Sequence, residues 1–268
     1  MIDMLRIYRR LWQVNWAEQW QYRANLMMYL LYWLVSPVVY LAVWSSIARS
    51  QGSVNGLTVN DFTTYYLTLL VVDLLTSDIT IHILAYKIQD GTLSAELLKP
   101  VHPILTNTLV NNLAFKALTL MVLLPVWIVL ALLFQPDFSS VTLGNLVLAV
   151  PALIFGFGIS FLFGSTITCL AFWTTRVYSV MEFYFAVSTL LSGQFVPLVL
   201  MPPVIQQIAR LLPFQLLRYF PTLLILGKLT PQEILINFAL DVIWFSIALG
   251  LFTLVWRKGV KQFSAVGA

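Results

Sequence analysis

The sequence predicts an all-α integral membrane protein with several transmembrane helices. Three observations lead to this fold class: the chain is 60% hydrophobic, only 10% of its 268 residues are charged, and its mean hydropathy is +0.87. A soluble domain of average composition is about half apolar and about one quarter charged. The apolar excess is too large for one globular core, so lipid must surround much of the chain.

Six apolar stretches have the length of about 20 residues that a helix needs to cross the hydrocarbon core of a bilayer. They lie at residues 26–47, 62–86, 104–134, 146–173, 178–200 and 234–256. Pro37 and Pro125 fall inside two of them, where a kink is tolerated if neighbouring helices satisfy the freed carbonyl. The sequence therefore predicts a single transmembrane domain over residues 1–268 with six crossings.

Residues 1–24 predict an amphipathic helix that lies in the membrane interface. Its apolar face carries Leu5, Tyr8, Trp12, Trp16 and Trp20, and its opposite face carries Arg6, Arg9, Arg10, Gln13 and Gln21. A basic, tryptophan-rich helix of this kind serves either as an anchor that sets orientation or as a surface for a partner, and the sequence leaves both roles open.

Residues 200–232 contain five prolines, and neither of the two apolar pieces between them can cross about 30 Å of hydrocarbon. We expect a re-entrant or extracytoplasmic helical hairpin, with Arg210, Arg218 and Lys228 facing polar surroundings. A seventh crossing here would move the C-terminus to the other side of the membrane. The distribution of basic residues argues against it.

Six crossings place both termini on one side. That side then carries Arg6, Arg9, Arg10, Arg23, Lys87, Lys99, Arg176, Arg257, Lys258 and Lys261. The other side keeps only Arg49 and the three basic residues of the hairpin segment. Basic residues are enriched on the cytoplasmic side of membrane proteins, so both termini are expected in the cytoplasm.

The chain contains no motif for covalent chemistry. A phosphate-binding loop of the form G-x-x-x-x-G-K-[ST] does not occur, and two histidines with one cysteine are too few for a typical metal site of these ligands. Catalytic, cofactor-binding and metal-binding residues are therefore all predicted to be none, and we expect that the chain is not an enzyme.

Ionisable and small residues inside the spans are the next candidates for function. The ionisable residues are Asp73, Asp78, His82, Lys116, Glu182 and Asp241. Charges at membrane depth are costly and point to a functional site by default. Asp78 and His82, four residues apart, are predicted to share one helical face. We favour structural polar contacts, because Lys116 and Glu182 lie near predicted helix ends where long side chains reach the interface. Gly156, Ser160 and Gly164 recur every fourth residue and predict close helix packing.

Residues 87–103 form a polar segment between the second and third spans. Within it lie Ile88, Asp90, Gly91, Leu93, Glu96, Leu97, Leu98, Lys99 and Pro100. Gly91 predicts a turn, and Ser94 is a candidate cap for a short helix that ends before Pro100. This spacing resembles the I-x-x-G-x-L-x-x-x-L-L-x-P stretch of ABC-2 type transporter permeases, particularly the small six-span subunits of the ABC-2 family. The resemblance extends over essentially the whole chain.

The resemblance implies a permease subunit of an ATP-binding cassette transporter, most members of this kind being exporters. Two permeases, identical or homologous, would form the membrane pathway in a bacterial inner membrane. Separate ATPase subunits would bind ATP and magnesium and contact a coupling helix in residues 87–103, where Leu97 and Leu98 would form the apolar contact. The implied partners are these subunits and membrane lipid, not nucleic acid. An ion-coupled transporter or channel that uses the intramembrane carboxylates remains the alternative, and a scaffold without transport activity is a second one.

Overall fold

The computed structural model describes residues 2–79, 81–99 and 101–263. Within this part of the chain, every regular element is a helix, and the only β-type pairing is an isolated bridge between Val54 and Leu57. The predicted all-α class is therefore confirmed.

The helices are labelled α1 to α12 in chain order. They are α1 (Ile2–Gln21), α2 (Arg23–Gln51), α3 (Val59–Thr76), α4 (Ile81–Gln89), α5 (Leu93–Leu97), α6 (Val110–Phe134), α7 (Leu143–Thr168), α8 (Val177–Leu191), α9 (Pro203–Leu211), α10 (Phe214–Leu217), α11 (Tyr219–Ile225) and α12 (Pro231–Gln262). A π-helical turn, Ile104–Leu109, precedes α6, and 3-10 turns at Cys169–Phe172 and Leu198–Leu200 follow α7 and α8.

Five helical stretches in the described residues are long and apolar enough to cross a membrane. They are Met27–Gln51, Val59–Gln89, Val110–Phe134, Leu143–Phe172 and Pro231–Gln262. The remaining predicted span, residues 178–200, forms only the 15-residue helix α8, followed by irregular chain and a 3-10 turn. Five of the six predicted spans thus overlap long helical stretches. The sixth, residues 178–200, is not helical to its predicted end.

The second predicted span is not one continuous helix. α3 ends when the amide of Ser77 donates to the carbonyl of Asp73, and α4 begins only at Ile81. Serine and aspartate side chains compete with the helix for backbone hydrogen bonds, so the Ser77–Asp78 pair favours an interruption. Irregular backbone at membrane depth is tolerated only inside protein or beside a polar cavity. The break therefore marks a polar site within the bundle.

α7 is the central helix of the bundle. It contacts α3, α4, α8, α10, α11 and α12, whereas α2 packs on α3 and α1 packs on α6. The buried core around α7 contains Ala152, Ile159, Leu216 and Phe220. The first half of the bundle and the last helix are thus joined through α7.

The segment before the last span forms three short helices, α9 to α11. α10 and α11 pack against α7, and Leu216 and Phe220 are almost completely buried. The turn before this segment contains Gly193, whose φ is +79° and whose carbonyl accepts a 2.7 Å hydrogen bond from the hydroxyl of Tyr65. A Cβ at this position would lie 2.7 Å from the same hydroxyl, so only glycine fits.

Candidate functional site

The break between α3 and α4 opens onto a cavity of about 460 Å³. Residues from α2, α3, α4, α7, α8 and the chain between α10 and α11 surround it. Its polar and charged lining residues are Ser36, Asp73, Ser77, Asp78, His82, Ser160, Glu182, Ser188, Thr189, Gln194 and Arg218. The remaining lining is mostly aromatic: Tyr29, Trp33, Tyr40, Tyr184 and Phe185, with Ile79. A concave site with convergent polar groups is the usual form of a ligand site.

A buried ion pair joins the end of α3 to the segment before the last span. The Nε of Arg218 donates to the Oδ1 of Asp73, and the side chains of the two residues are 10% and 5% exposed. The Nη2 of Arg218 donates to the hydroxyl of Ser77 at 2.9 Å. Its Nη1 donates to the hydroxyls of Ser188 at 3.1 Å and Ser192 at 3.3 Å. All three nitrogens of the guanidinium are therefore hydrogen-bonded inside the protein.

The expected polar surroundings of Arg218 are thus a buried network and not the membrane surface. Gln194 adds to this network by donating to the Oδ2 of Asp73 at 3.3 Å. The sequence indicated Asp73 as a candidate, but it gave no reason to pair it with a residue 145 positions away. The one available signal was an arginine between two short apolar helices, since a charge in such a setting requires a partner.

Lys116 lies inside the bundle, and the expectation that it reaches the membrane interface was wrong. The residue is only 5% exposed, its Nζ donates to the carbonyl of Leu75 at 2.9 Å, and it lies 3.5 Å from the centre of the Phe157 ring. The carbonyl of Leu75 is within the last turn of α3, so the lysine compensates polar backbone near the break. A hydrogen bond and a cation–π contact together replace part of its lost hydration.

Asp78 and His82 do not share a helical face, because Asp78 lies in the break and His82 in α4. The Oδ1 of Asp78 accepts a 2.7 Å hydrogen bond from the side-chain amide of Asn112. The imidazole of His82 is exposed and stacks on Tyr178 with 6.1 Å between ring centres. Both residues nevertheless line the cavity.

The two remaining ionisable candidates differ in position. Glu182 is an exposed residue of α8 that lines the cavity. Asp241 is fully buried in α12, does not line the cavity, and neither of its carboxylate oxygens has a hydrogen-bond partner among the described residues. The structure therefore brings Asp73, Asp78, His82 and Glu182 to one site and leaves Asp241 outside it.

The three small residues of α7 face different neighbours. A Cβ on Gly156 would lie 3.1 Å from the carbonyl oxygen of Leu216, and a Cβ on Gly164 would lie 2.9 Å from Ile81. Ser160, between them, lines the cavity. The small residues allow α10 and α4 to approach α7 closely.

The segment after α4 forms a short, partly anchored helix, α5. Leu93 is completely buried, Ile88 is buried, and Leu97 packs partly against the same core, whereas Leu98 is 89% exposed. Lys87 and Glu96 form an ion pair of 2.6 Å between Nζ and Oε1. Asp90 and Lys99 are exposed, Gly91 has a φ of +79°, and Pro100 lies outside the described residues. The helix starts after Thr92, so Ser94 is not its cap but an internal residue.

His102 follows this helix and is partly buried. Its Nδ1 accepts a 3.3 Å hydrogen bond from the amide of Ile104, and its ring centre lies 4.6 Å from that of Trp256 in α12. Burial lowers the pKa of His102, so that its neutral form is favoured in the folded protein.

Comparison with known proteins finds a family whose sequence model matches most of the chain. Residues 34–267 match the sequence model of the family described as ABC-2 family transporter protein. No curated protein matches the chain. The matched region contains the whole cavity lining except Tyr29 and Trp33, and it contains α5 completely.

Proposed function

Because the chain belongs to the ABC-2 family of transporter proteins, we propose that it is the permease subunit of an ATP-driven exporter. The match over residues 34–267 is the observation that carries this proposal. The permease forms half of the pathway, and a second permease, identical or homologous, forms the other half. Separate ATPase subunits bind ATP and magnesium and supply the chemical work, and the permease itself is not an enzyme.

The proposed topology has six crossings with both termini in the cytoplasm of a bacterial cell, and the protein lies in the inner membrane. Five crossings correspond to the long apolar stretches, and the sixth consists of α8 with the chain that follows it. Helix α8 alone is about 22 Å long at 1.5 Å per residue, shorter than the hydrocarbon core of about 30 Å. The polar residues beside its end are tolerable because they line the cavity. α1 lies in the interface, and α9 to α11 form the extracytoplasmic hairpin.

The proposed contact with the ATPase is α5 and the residue after it. Leu98 is 89% exposed beside the exposed, charged Lys99, while Leu93 anchors the helix in the core. An exposed leucine at the tip of an anchored loop is suited to enter an apolar groove of a partner. Asp90 and Lys99 supply charges that set orientation.

The proposed path of transmission runs from α5 through α4 to the break in the second span. α4 joins α5 at one end and the Ser77–Asp78 break at the other. The break is tied through Asp73 and Ser77 to Arg218 in the hairpin segment. A movement of α5 driven by ATP binding therefore acts on the segment before the last span through packed helices and one ion pair. ATP shifts this equilibrium only if the ATPase dimer binds the two permease states with different affinity.

An affinity-tagged permease purified from native membranes tests the proposal. We expect an ATPase with a phosphate-binding loop to co-purify with the wild-type chain. Leu98→Asp should remove ATPase stimulation by the permease without reducing membrane insertion, because the side chain makes few contacts within the chain. Leu143→Asp is the matched control, since Leu143 is 78% exposed at the start of α7, far along the chain from α5. The proposal fails if no ATPase co-purifies with the wild type, and the assigned contact fails if Leu98→Asp preserves normal stimulation.

The ion-coupled alternative receives less support from the geometry. Asp73 is neutralised by Arg218, and Asp78 accepts a hydrogen bond from Asn112 and lies near Lys116. A carboxylate that carries an ion through the membrane must exchange its partners, which is costly for a buried ion pair.

A further inference from the structure

We propose that the cavity beside the Asp73–Arg218 ion pair binds an amphipathic organic cation. The inference deepens the proposed function, because it names the class of compound that the permease would carry. A volume of about 460 Å³ lies within the range of about 300–1,000 Å³ found for sites of small organic ligands.

The charges around the cavity leave carboxylates in excess. Asp73 is paired with Arg218, and Lys116 interacts electrostatically with both Asp78 and Asp73. Asp73 is thus neutralised by Arg218, and Asp78 has a basic side chain nearby. Glu182 is the remaining acidic residue of the lining, and it belongs to none of the ion pairs formed between described residues. The described lining thus contains three acidic side chains, Asp73, Asp78 and Glu182, against Arg218 and His82, and this excess of negative charge favours a cation.

The same network disfavours an anionic ligand. Among the described lining residues, Arg218 is the only basic side chain apart from His82, and its Nε, Nη1 and Nη2 all have partners inside the protein. An anion at the guanidinium would have to compete with the buried carboxylate of Asp73 on Nε or displace the serine hydroxyls that accept from Nη1 and Nη2. Leaving a buried charge without its partner is strongly destabilising.

The aromatic part of the lining supplies the second requirement of an organic cation. Rings of Tyr29, Trp33, Tyr40, Tyr184 and Phe185 line the cavity. The negative face of an aromatic ring attracts cations, and apolar substituents of the ligand pack on the same rings. Four of the five N–H groups of Arg218 have partners inside the protein, so the guanidinium offers few donors to a neutral sugar. The indole N–H of Trp33 has no hydrogen-bond partner among the described residues, so it is available to one oxygen acceptor on the ligand.

Tetraphenylphosphonium and tetraphenylborate, two ions of nearly the same size and shape with opposite charge, test the sign of the site. The full chain is purified, placed in lipid nanodiscs, and titrated with each ion by isothermal calorimetry, with empty nanodiscs subtracted. We expect saturable, one-to-one binding of tetraphenylphosphonium and no saturable binding of tetraphenylborate. Equal binding of both ions, or saturable binding of the borate alone, would overturn the proposal.

Two variants with matched controls locate the bound cation. Glu182→Gln should weaken tetraphenylphosphonium binding about tenfold, since it removes an ionic contact in partly screened surroundings. Phe185→Leu should weaken it about threefold by removing a ring of the lining. Glu18→Gln in α1 and Phe183→Leu in α8 are the controls, because these exposed residues do not line the cavity. Unchanged affinity in Glu182→Gln, or equal losses in the controls, would show that the cation binds elsewhere.

The binding assay uses the permease without any ATPase, so the two proposals can fail separately. If tetraphenylphosphonium binds as expected but no ATPase co-purifies with the wild type, the cation site stands and the ATP-driven function is rejected. If the ATPase co-purifies and the cation does not bind, the function stands and the substrate class is wrong. Size-exclusion profiles of the variants identify any that fail to fold, and the comparison of the two ions on the wild type does not depend on them.

Discussion

Replacement of Arg218 by methionine should be the most destabilising change of a charged residue in the cavity. The substitution preserves an unbranched apolar side chain but removes the guanidinium that pairs with Asp73. The carboxylate side chain of Asp73 is only 5% exposed, so water cannot replace the lost cation. The variant therefore leaves a charge buried without its ionic partner.

The expected loss follows from the partners that remain. Removing one member of a buried ion pair costs about 3–5 kcal/mol. The Ser77 hydroxyl donates to the Oδ1 of Asp73 at 2.9 Å and the Gln194 amide to its Oδ2 at 3.3 Å, so the carboxylate keeps two hydrogen bonds. We therefore expect the lower end, about 3 kcal/mol, which corresponds to a fall of about 6–12 °C in the unfolding midpoint at about 2–4 °C per kcal/mol.

The assay is thermal unfolding in one detergent, followed by size-exclusion chromatography, for four proteins: wild type, Arg218→Met, the double variant Asp73→Asn with Arg218→Met, and Lys228→Met. The double variant should recover about 1–3 kcal/mol, because it no longer contains an unpaired charge. Lys228→Met is the control: Lys228 lies 3.9 Å from Asp61 with side chains 54% and 35% exposed, and such a surface pair contributes less than about 1 kcal/mol. The reasoning is refuted if Arg218→Met melts like Lys228→Met, or if the double variant is less stable than Arg218→Met.

Two further outcomes can be measured with the same assay. Gly156→Leu should destabilise the protein by about 1–3 kcal/mol or more through overpacking, because even a Cβ would lie 3.1 Å from the backbone oxygen of Leu216. Gly250→Leu is its control, since a Cβ there meets no atom within 4 Å, and equal losses in both would reject the packing argument. Because burial lowers the folded-state pKa of His102 below 6.5, the unfolded chain binds more protons in mildly acidic solution. Stability should therefore be highest above about pH 6.5 and decrease as the pH falls toward the folded-state pKa, and His102→Gln should reduce this slope; an unchanged slope would contradict the assignment.

The helices could be located from the sequence where length and hydropathy agree. Residues 234–256 lie within α12, and residues 110–134 of the predicted span 104–134 form α6. Hydropathy did not predict the break after Thr76, because a window of about twenty residues averages over Ser77 and Asp78. It also overestimated the length of α8, since the chain turns at Ser192 and Gly193 directly after Leu191.

Individual residues of the candidate site could be predicted from the sequence, but their arrangement around one cavity could not. Asp73, Asp78, His82 and Glu182 could be selected because ionisable residues are rare at membrane depth. Their common cavity depends on contacts between segments far apart in the chain, such as Asp73 with Arg218 across 145 positions. Lys116 is a second example: its position predicted a helix end, but α6 packs against α3 and the lysine lies buried over the ring of Phe157 in α7.

The order of residues was enough to predict a lipid environment, the position of most long helices and the polar loop after α4, because these follow from local hydropathy and turn chemistry. The family resemblance carried by residues 88–100 was likewise visible in the order of residues, and the match over residues 34–267 agrees with it. The pairing of Asp73 with Arg218 and the position of Glu182 beside an aromatic cavity became visible only in the packed structure. The interaction between two charges depends on their distance in space, and helix packing sets that distance independently of their separation along the chain.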